Sequence, residues 1–510
     1  MSSPPASVRG LETHQSRSSA AKPADSRKPE HKINLPVGPP YPARTADHSW
    51  SASGRGSVNV ETIGERTEAS GGASGSEGRT PQGRQCPECG HVVAVHARYV
   101  DWCAECDWNV DPGAPDPDRG RIATVRRRLA RAHGEQLAAG IGRGEDGPAA
   151  LDTPTVLAYG ISVVVHAVTA ALVVVAGVLV IDGWHTGIQP VLGVLVLVIA
   201  AALLPRPGRL PKHAPVLYRA DAPRLFELID EVGAAVGTSG VHAVVVEPVA
   251  NAGVTTYGFR NRRVMYLGLG LWEILSPQEL VALLGHELGH FANGDVRSSY
   301  LTGWALHALQ RWHHLLTPTP LPPLAPLWHQ AADLLLRVLA FLPRWAVYGV
   351  THLLDGLTMR ASQRAEYRAD TGAARVGSTE AAVALMDRML LCEAVQPQLR
   401  RESVAAQMRG GAQGRALRDA AERGLWERLG ERMGSVPESE YERLRRVSAR
   451  RGHSVDDTHP PTHLRRRCLA SAGAHPARVV CDAARTEAVA AELAPVRAEL
   501  ARRVIRDYAH

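Results

Sequence analysis

The first 85 residues lack almost every large apolar side chain. Rich in Ser, Gly, Pro and Arg, they cannot bury enough surface to offset the entropy of ordering a chain, so 1–85 reads as a disordered tail. The N-terminus also lacks the apolar core of a secretory signal, since Met1 is followed by Ser-Ser-Pro-Pro. Cysteine is scarce and odd in number, seven in 510 residues. Without a signal peptide, that count excludes a secreted disulfide framework and points to a reducing compartment. Lysine is nearly absent, so the 58 cationic side chains that outnumber 51 acidic ones are nearly all Arg, for a net charge of +7. Such a balance suits anionic lipid or nucleic acid. Much of the Arg lies beside apolar segments, which favours lipid.

Four of the cysteines form one array, Cys86-Pro-Glu-Cys89 and Cys103-Ala-Glu-Cys106, with thirteen residues between the knuckles. Each CxxC turns tightly and presents two thiolates, and two knuckles complete a tetrahedral zinc site. A ribbon over 86–110 has too little core to stand alone, so the metal would supply its stability. A redox dithiol pair, two disulfides or a bound iron are the alternatives. The ribbon lacks the basic surface that phosphate contact needs: it carries Glu88, Asp101, Glu105 and Asp107 against Arg98 alone. Nucleic acid is therefore not an expected partner.

Residues 111–150 read as a basic linker, with Arg126, Arg127, Arg128 and Arg131 on a helix-compatible run. This is either a juxtamembrane helix on anionic lipid or a plain solvated connector. Charge then disappears. Thr155 to Ile181 and Gln189 to Leu204 are apolar runs joined by Asp182-Gly-Trp-His-Thr-Gly, and together they make 151–206 a candidate transmembrane hairpin. About 20 residues are needed to cross a bilayer core, so the first run suffices and the second is marginal. A buried soluble hairpin is the alternative. The turn has no Lys or Arg, whereas Arg residues precede the first run and Arg206, Arg209 and Lys212 follow the second. The positive-inside rule then puts both flanks in the cytoplasm, in a multi-pass protein of the cell membrane.

From residue 207 to 510 the chain reads as α+β and mostly helical. A helix is expected over Ala222 to Ala235, a strand over His242 to Glu247, and a strand–turn–strand over Val254 to Leu267. Ser276-Pro277-Gln278-Glu279 is a capping box with Pro at the first helical position. The helix it opens carries His286-Glu287-Leu288-Gly289-His290. Residues four apart share a face, so both imidazoles can reach one metal, with Glu287 beside them as general base for a water. A tetrahedral catalytic zinc needs a third protein ligand. Glu366 in Glu366-Tyr-Arg-Ala-Asp370 is a candidate, and Asp370, one turn on, can accept from the far nitrogen of a bound His. A solvated Glu/Arg/Asp face is the competing reading of that segment.

Asn251-Ala252 with Gly258, the two strands, LSPQELxxLLGHELGHFxNGD and EYRAD together resemble the HtpX-like membrane zinc endopeptidases, relatives of the type I CAAX prenyl proteases. The resemblance spans about residues 150–470. It implies a zincin-like domain with His286, His290 and Glu366 as ligands of a catalytic zinc, Glu287 as base and Asp370 behind the ligands. It also marks Thr458-His459-Pro460-Pro461 with Arg465, making His459 a candidate for stabilising the oxyanion. Asn251, Ala252, Gly258 and Arg465 become candidates for substrate binding, and Val254 to Phe259 for the sheet edge on which an extended peptide adds as a strand. Two zinc ions, one catalytic and one structural, a protein or peptide substrate and a lipid bilayer are the implied partners.

One segment departs from that pattern. Leu334 to Leu354 is apolar but interrupted by Arg337, Pro343 and Arg344. A charge at the bilayer centre costs at least about 2.5 kcal/mol, so 330–356 is expected as an interfacial or lid helix. Ala381 to Val395 and Ala483 to Arg506 have helical apolar spacing. Two other classes of function compete with the peptidase: a catalytically idle scaffold that binds partners through its ribbon, and a membrane-tethered nucleic-acid reader. The complete set of ligands and base favours the enzyme.

Overall fold

The computed structural model describes residues 83–96, 98–112, 121–141, 153–204, 208–317, 326–408, 411–451 and 459–507, all within one unit. The tail to residue 82, Arg206 and Thr458 lie outside the described residues, as do the side chains of Arg126 and Arg127.

The ribbon is a hairpin of β1 (Gly83–Gln85) and β2 (Val92–Ala94). Then come α1 (Arg121–Ile141) and the apolar pair α2 (Thr153–Ile181) and α3 (Ile188–Leu203). A mixed sheet follows from β3 (Val216–Leu217), β4 (Ala243–Glu247), β5 (Ala252–Tyr257) and β6 (Arg262–Gly268), with α4 (Pro223–Val236) between β3 and β4. Strand order is β3-β4-β6-β5, with β4 parallel to β6 and the other pairs antiparallel. The Val-rich run therefore sits inside the sheet, and β5 is an edge strand.

The short α5 (Leu269–Trp272) leads into α6 (Pro277–Ala292), α7 (Asp295–Leu315) and α8 (Leu327–Gly377). The rest is helical: α9 (Thr379–Met389), α10 (Cys392–Gln407), α11 (Gly411–Arg423), α12 (Leu425–Gly434), α13 (Glu438–Arg451), α14 (Thr462–Ser471) and α15 (Ala483–Asp507). The helix expected over Ala381 to Val395 is thus broken at Leu390 and Leu391 into α9 and α10. One core joins α4, β4, β6, α6, the C-terminal end of α8, α10, α12 and α15 through residues such as Phe226, Met265, Leu284, Val376, Leu399, Trp426 and Leu500.

Two expectations change. The apolar segment within 330–356 is not a separate element. It is the first part of α8, a single helix of 51 residues that continues through Glu366, with Pro343 inside it. Arg337 pairs with Asp333 one turn earlier at 2.5 Å, so neither charge is left alone on the helix. By length and composition, α2 and the helix from Trp328 to Gly377 are each apolar enough to cross a membrane. Nor does the apolar pair stand alone. Ala158 and Val165 of α2 share a buried cluster with Ala305, Ala308 and Leu309 of α7 and Val347 and Leu354 of α8.

The basic linker is the second change. Its helix α1 packs on α8 and α14: Gln363 donates to the Ala130 carbonyl at 3.0 Å and Tyr367 to that of Gly134 at 3.3 Å. The ribbon is held too. Trp102 donates its indole N–H to the Ser439 carbonyl, Arg446 lies 5.0 Å over the Trp102 ring, and Arg446 and Arg450 each bond Asp107 at 2.7 Å.

Candidate active site and metal centres

The register of α6 is fixed at its first turn. Ser276 Oγ accepts from the Glu279 amide at 3.3 Å, and the Glu279 carboxylate accepts from the Ser276 amide at 2.7 Å, with Pro277 at the first helical position. From there Leu280 through Gly289 are buried. The helix is therefore a core element, and the histidines at its far end inherit its rigidity.

The two glycines around the motif set how close α8 can come. A Cβ on Gly285 would lie 3.2 Å from the Ala373 Cα, and one on Gly289 would lie 3.3 Å from the Ala369 Cα. Side chains there would hold the helices apart, so this close approach is what lets a carboxylate on α8 reach the histidines. His286 Nε2 is 3.4 Å from Glu366 Oε2, and His290 Nε2 is 3.7 Å from Glu366 Oε1. The imidazole rings stand edge to face, 4.9 Å apart.

These spacings fit zinc. Bonds of about 2.0–2.1 Å at a tetrahedral ion put ligand atoms roughly 3.3 Å apart, and one ligand atom from each of His286, His290 and Glu366 lies within 4.8 Å of the others. Glu366 Oε2 is buried with no close hydrogen bond among the described residues, facing His286 Nε2 and Arg465 Nη1 at 3.4 Å each, an environment suited to a carboxylate that holds a cation. Burial lowers the pKa of the His286 imidazole, but the neighbouring carboxylates of Asp370 and Glu366, which favour the protonated ring, outweigh it and raise the value to about 10. The same negative field that attracts that proton would attract a divalent ion.

Behind the ligands, each histidine faces a carboxylate and each carboxylate is held by an arginine. Asp370 Oδ1 is 3.0 Å from His286 Nδ1, and Arg465 on α14 donates to both Asp370 oxygens at 2.6 and 2.8 Å. Asp295 Oδ2 lies 3.5 Å from His290 Nδ1, and Arg368 donates to its other oxygen at 2.7 Å. The reading of the sequence missed this second pair. Asn293-Gly294-Asp295 reads locally as a helix break, and Gly294 is left-handed at φ 73° between α6 and α7. That turn brings Asp295 back against His290.

Glu287 is buried at 8% exposure, on α6 between the two ligands. His459 stands at the rim, with Nε2 3.2 Å from Glu366 Oε1 and a quarter of the side chain exposed. Arg465, expected at the substrate, is 1% exposed and lies beneath the ligands, so it is removed from any substrate path. Asn251 and Ala252 open edge strand β5, where Asn251 Oδ1 accepts from the Ala252 amide at 2.9 Å. Gly258 sits at the other end of β5 as a turn residue with φ 70°, separated from that pair by the length of the strand.

The ribbon thiols make a second cluster. Cys86 and Cys106 Sγ are 3.6 Å apart, and Cys89 and Cys103 Sγ 3.5 Å. Zinc–sulfur bonds of about 2.3 Å put sulfurs roughly 3.8 Å apart, so the four fit a tetrahedral ion.

Residues 220–472 match peptidase family M48. The chain is 28% identical over 190 residues to Protease HtpX of Xylella fastidiosa (strain 9a5c), which covers 34% of this chain and 61% of that protein. It is 30% identical over 84 residues to a Protease HtpX homolog of Syntrophobacter fumaroxidans (16% and 30%), and 26% identical over 176 residues to Protease HtpX of Chromohalobacter salexigens (32% and 55%). The chain therefore spans between about a third and three fifths of the length of these curated relatives. No solved structure matches it.

Proposed function

This chain is an HtpX-like member of peptidase family M48, and from that premise we propose that it is a membrane-anchored zinc endopeptidase acting on membrane or misfolded proteins. The observation that carries the reading is the convergence of His286, His290 and Glu366 from two helices packed at glycine distance. Zinc held there would supply Lewis-acid polarisation of a scissile carbonyl and a water acidified to near neutrality. Glu287 takes the proton of the attacking water and delivers it to the leaving amine. His459, partly exposed at the rim, donates to the developing oxyanion. Edge strand β5 receives the substrate as a further strand, which leaves sequence preference to the side chains around it.

The membrane part of the proposal draws on α2, α3 and the first half of α8. Glu366 follows Leu354 by twelve residues of unbroken helix, roughly 18 Å, so cleavage would occur close to the bilayer surface. The Arg distribution favours the cytoplasmic side, which fits reduced ribbon cysteines.

The test is paired. Detergent-solubilised protein and Glu287→Gln are assayed for zinc and for cleavage of an unfolded reporter. Two zincs per chain in both, with cleavage reduced about 10²–10⁴-fold in the variant, is the expected result. A His286→Ala variant that keeps every zinc would overturn the catalytic metal site.

A further inference from the structure

The turn joining β5 to β6 carries an aromatic side chain on open display. Phe259 is 93% exposed, and its neighbours Arg260, Asn261 and Arg262 are exposed with it. Gly258 at φ 70° and Asn261 at φ 48° make the turn tight, so Phe259 projects from a fixed base.

This tip stands beside the end of an apolar helix. The Gly258 amide donates to the Gly208 carbonyl at 2.9 Å, and Gly208 lies four residues past Leu204, where α3 terminates. Four residues reach at most about 14 Å. From the other side, Tyr300 of α7 donates to Thr256 Oγ1 at 2.9 Å, and the next carbonyl, that of Leu301, lies 3.3 Å from His166 Nε2 on α2. The tip is thus tied to three of the helices in the apolar bundle.

The charge around it has one sign. Arg209, Lys212, Arg260 and Arg262 are exposed, and neither 204–213 nor 255–264 contains an acidic residue. None of the four cations has an ion-pair partner among the described residues. An aromatic ring ringed by cations at the end of an apolar helix is the composition of a membrane-interface anchor.

We propose that the β5–β6 tip seats on anionic lipid headgroups, with Phe259 entering the interface and Arg209, Lys212, Arg260 and Arg262 contacting phosphates. This rests on the reading of α2 and α3 as membrane-crossing. The seat fixes one end of the edge strand to the bilayer surface, so that a peptide added to β5 is presented from the membrane side.

The experiment uses the full chain in vesicles of phosphatidylcholine alone and of phosphatidylcholine mixed with phosphatidylglycerol. Flotation and resistance to alkaline extraction report whether the chain is a membrane protein. Hydrogen exchange of the segment 255–263 reports the seat. A basic residue at an anionic surface is worth roughly fivefold, so slower exchange in anionic vesicles, erased in Arg260→Gln/Arg262→Gln by a loss of about 30-fold in seated over unseated population, is expected. Phe259→Ser should weaken the seat in both vesicles. A chain that floats and resists extraction, yet exchanges equally in the two vesicles, overturns the lipid seat and leaves the membrane reading intact. Protection that follows a soluble peptide substrate and ignores lipid also overturns it, and reassigns Phe259 to the substrate. A chain that is extracted overturns the membrane reading and the seat with it.

Discussion

Arg368 donates to one oxygen of Asp295 at 2.7 Å while the other oxygen faces His290 Nδ1 at 3.5 Å. Arg368 is two residues from Glu366, so the helix that carries one candidate ligand also orients the carboxylate facing another, His290. A carboxylate behind a metal-bound histidine fixes the ring and raises its basicity. Asp295→Asn should therefore weaken zinc at the catalytic site by about 10–100-fold in a chelator titration, while the ribbon ion is unaffected. Unchanged affinity would reduce Asp295 to an anchor for α7.

Gly289 faces the Ala369 backbone at a distance that leaves no room for a branched side chain. Gly289→Val is expected to destabilise the fold by about 1–3 kcal/mol, because overpacking forces α6 and α8 apart. Since the two helices carry different ligands, the same variant should bind one zinc per chain instead of two. Thermal unfolding and metal analysis check both parts.

Cys86→Ser removes a ribbon thiolate, and a fold of this size has little core beyond Cys86, Val93, Cys103 and the partly buried Trp108. One zinc per chain and rapid proteolysis within 86–110 are expected, with the catalytic ion retained. Resistance to proteolysis at full apo-ribbon would show that docking on α13 alone suffices.

Hydrogen bonds from Arg446, and then Arg450, hold the Asp107 carboxyl below its usual range against the opposing effect of burial. A depressed carboxylate stabilises the docked state above its unfolded pKa of about 3.9, and that contribution is lost as the pH falls through the lower folded value. Ribbon docking should therefore weaken below about pH 4, whereas Asp107→Asn should be undocked more readily at neutral pH and change less on acidification. Hydrogen exchange of the ribbon at a series of pH values reads this out.

Much of the architecture was legible because it is local. The capping box announced where α6 begins, and β-branched runs marked β4 and β6. What was not legible depends on pairing across long separations. Nothing in the residues around Arg465 says that it will be buried beneath the candidate metal site, and a buried Arg needs Asp370, 95 positions away, to make that placement tolerable. Asp295 was hidden in a turn for the same reason. The packing of linker helix α1 is not visible locally, because its partners, Gln363 and Tyr367, sit in a segment that reads as polar surface when taken alone. The course of α8 was obscured by Arg337 and Pro343, since a charge and a proline each argue for an ending that the Asp333 partner and the length of the helix override.

That helix has a mechanical meaning. No proline follows Pro343 in α8, and the helix runs on as one piece to Gly377. The segment that would lie among lipid tails and the segment that bears Glu366 are therefore one rod without a joint between them. His286 and His290, by contrast, belong to α6, which the main hydrophobic core grips on nearly every side. On the proposed reading, the candidate ligands are strung between a beam seated in lipid and a block seated outside it. Any force that tilts the beam changes the distance from Glu366 to the two imidazoles.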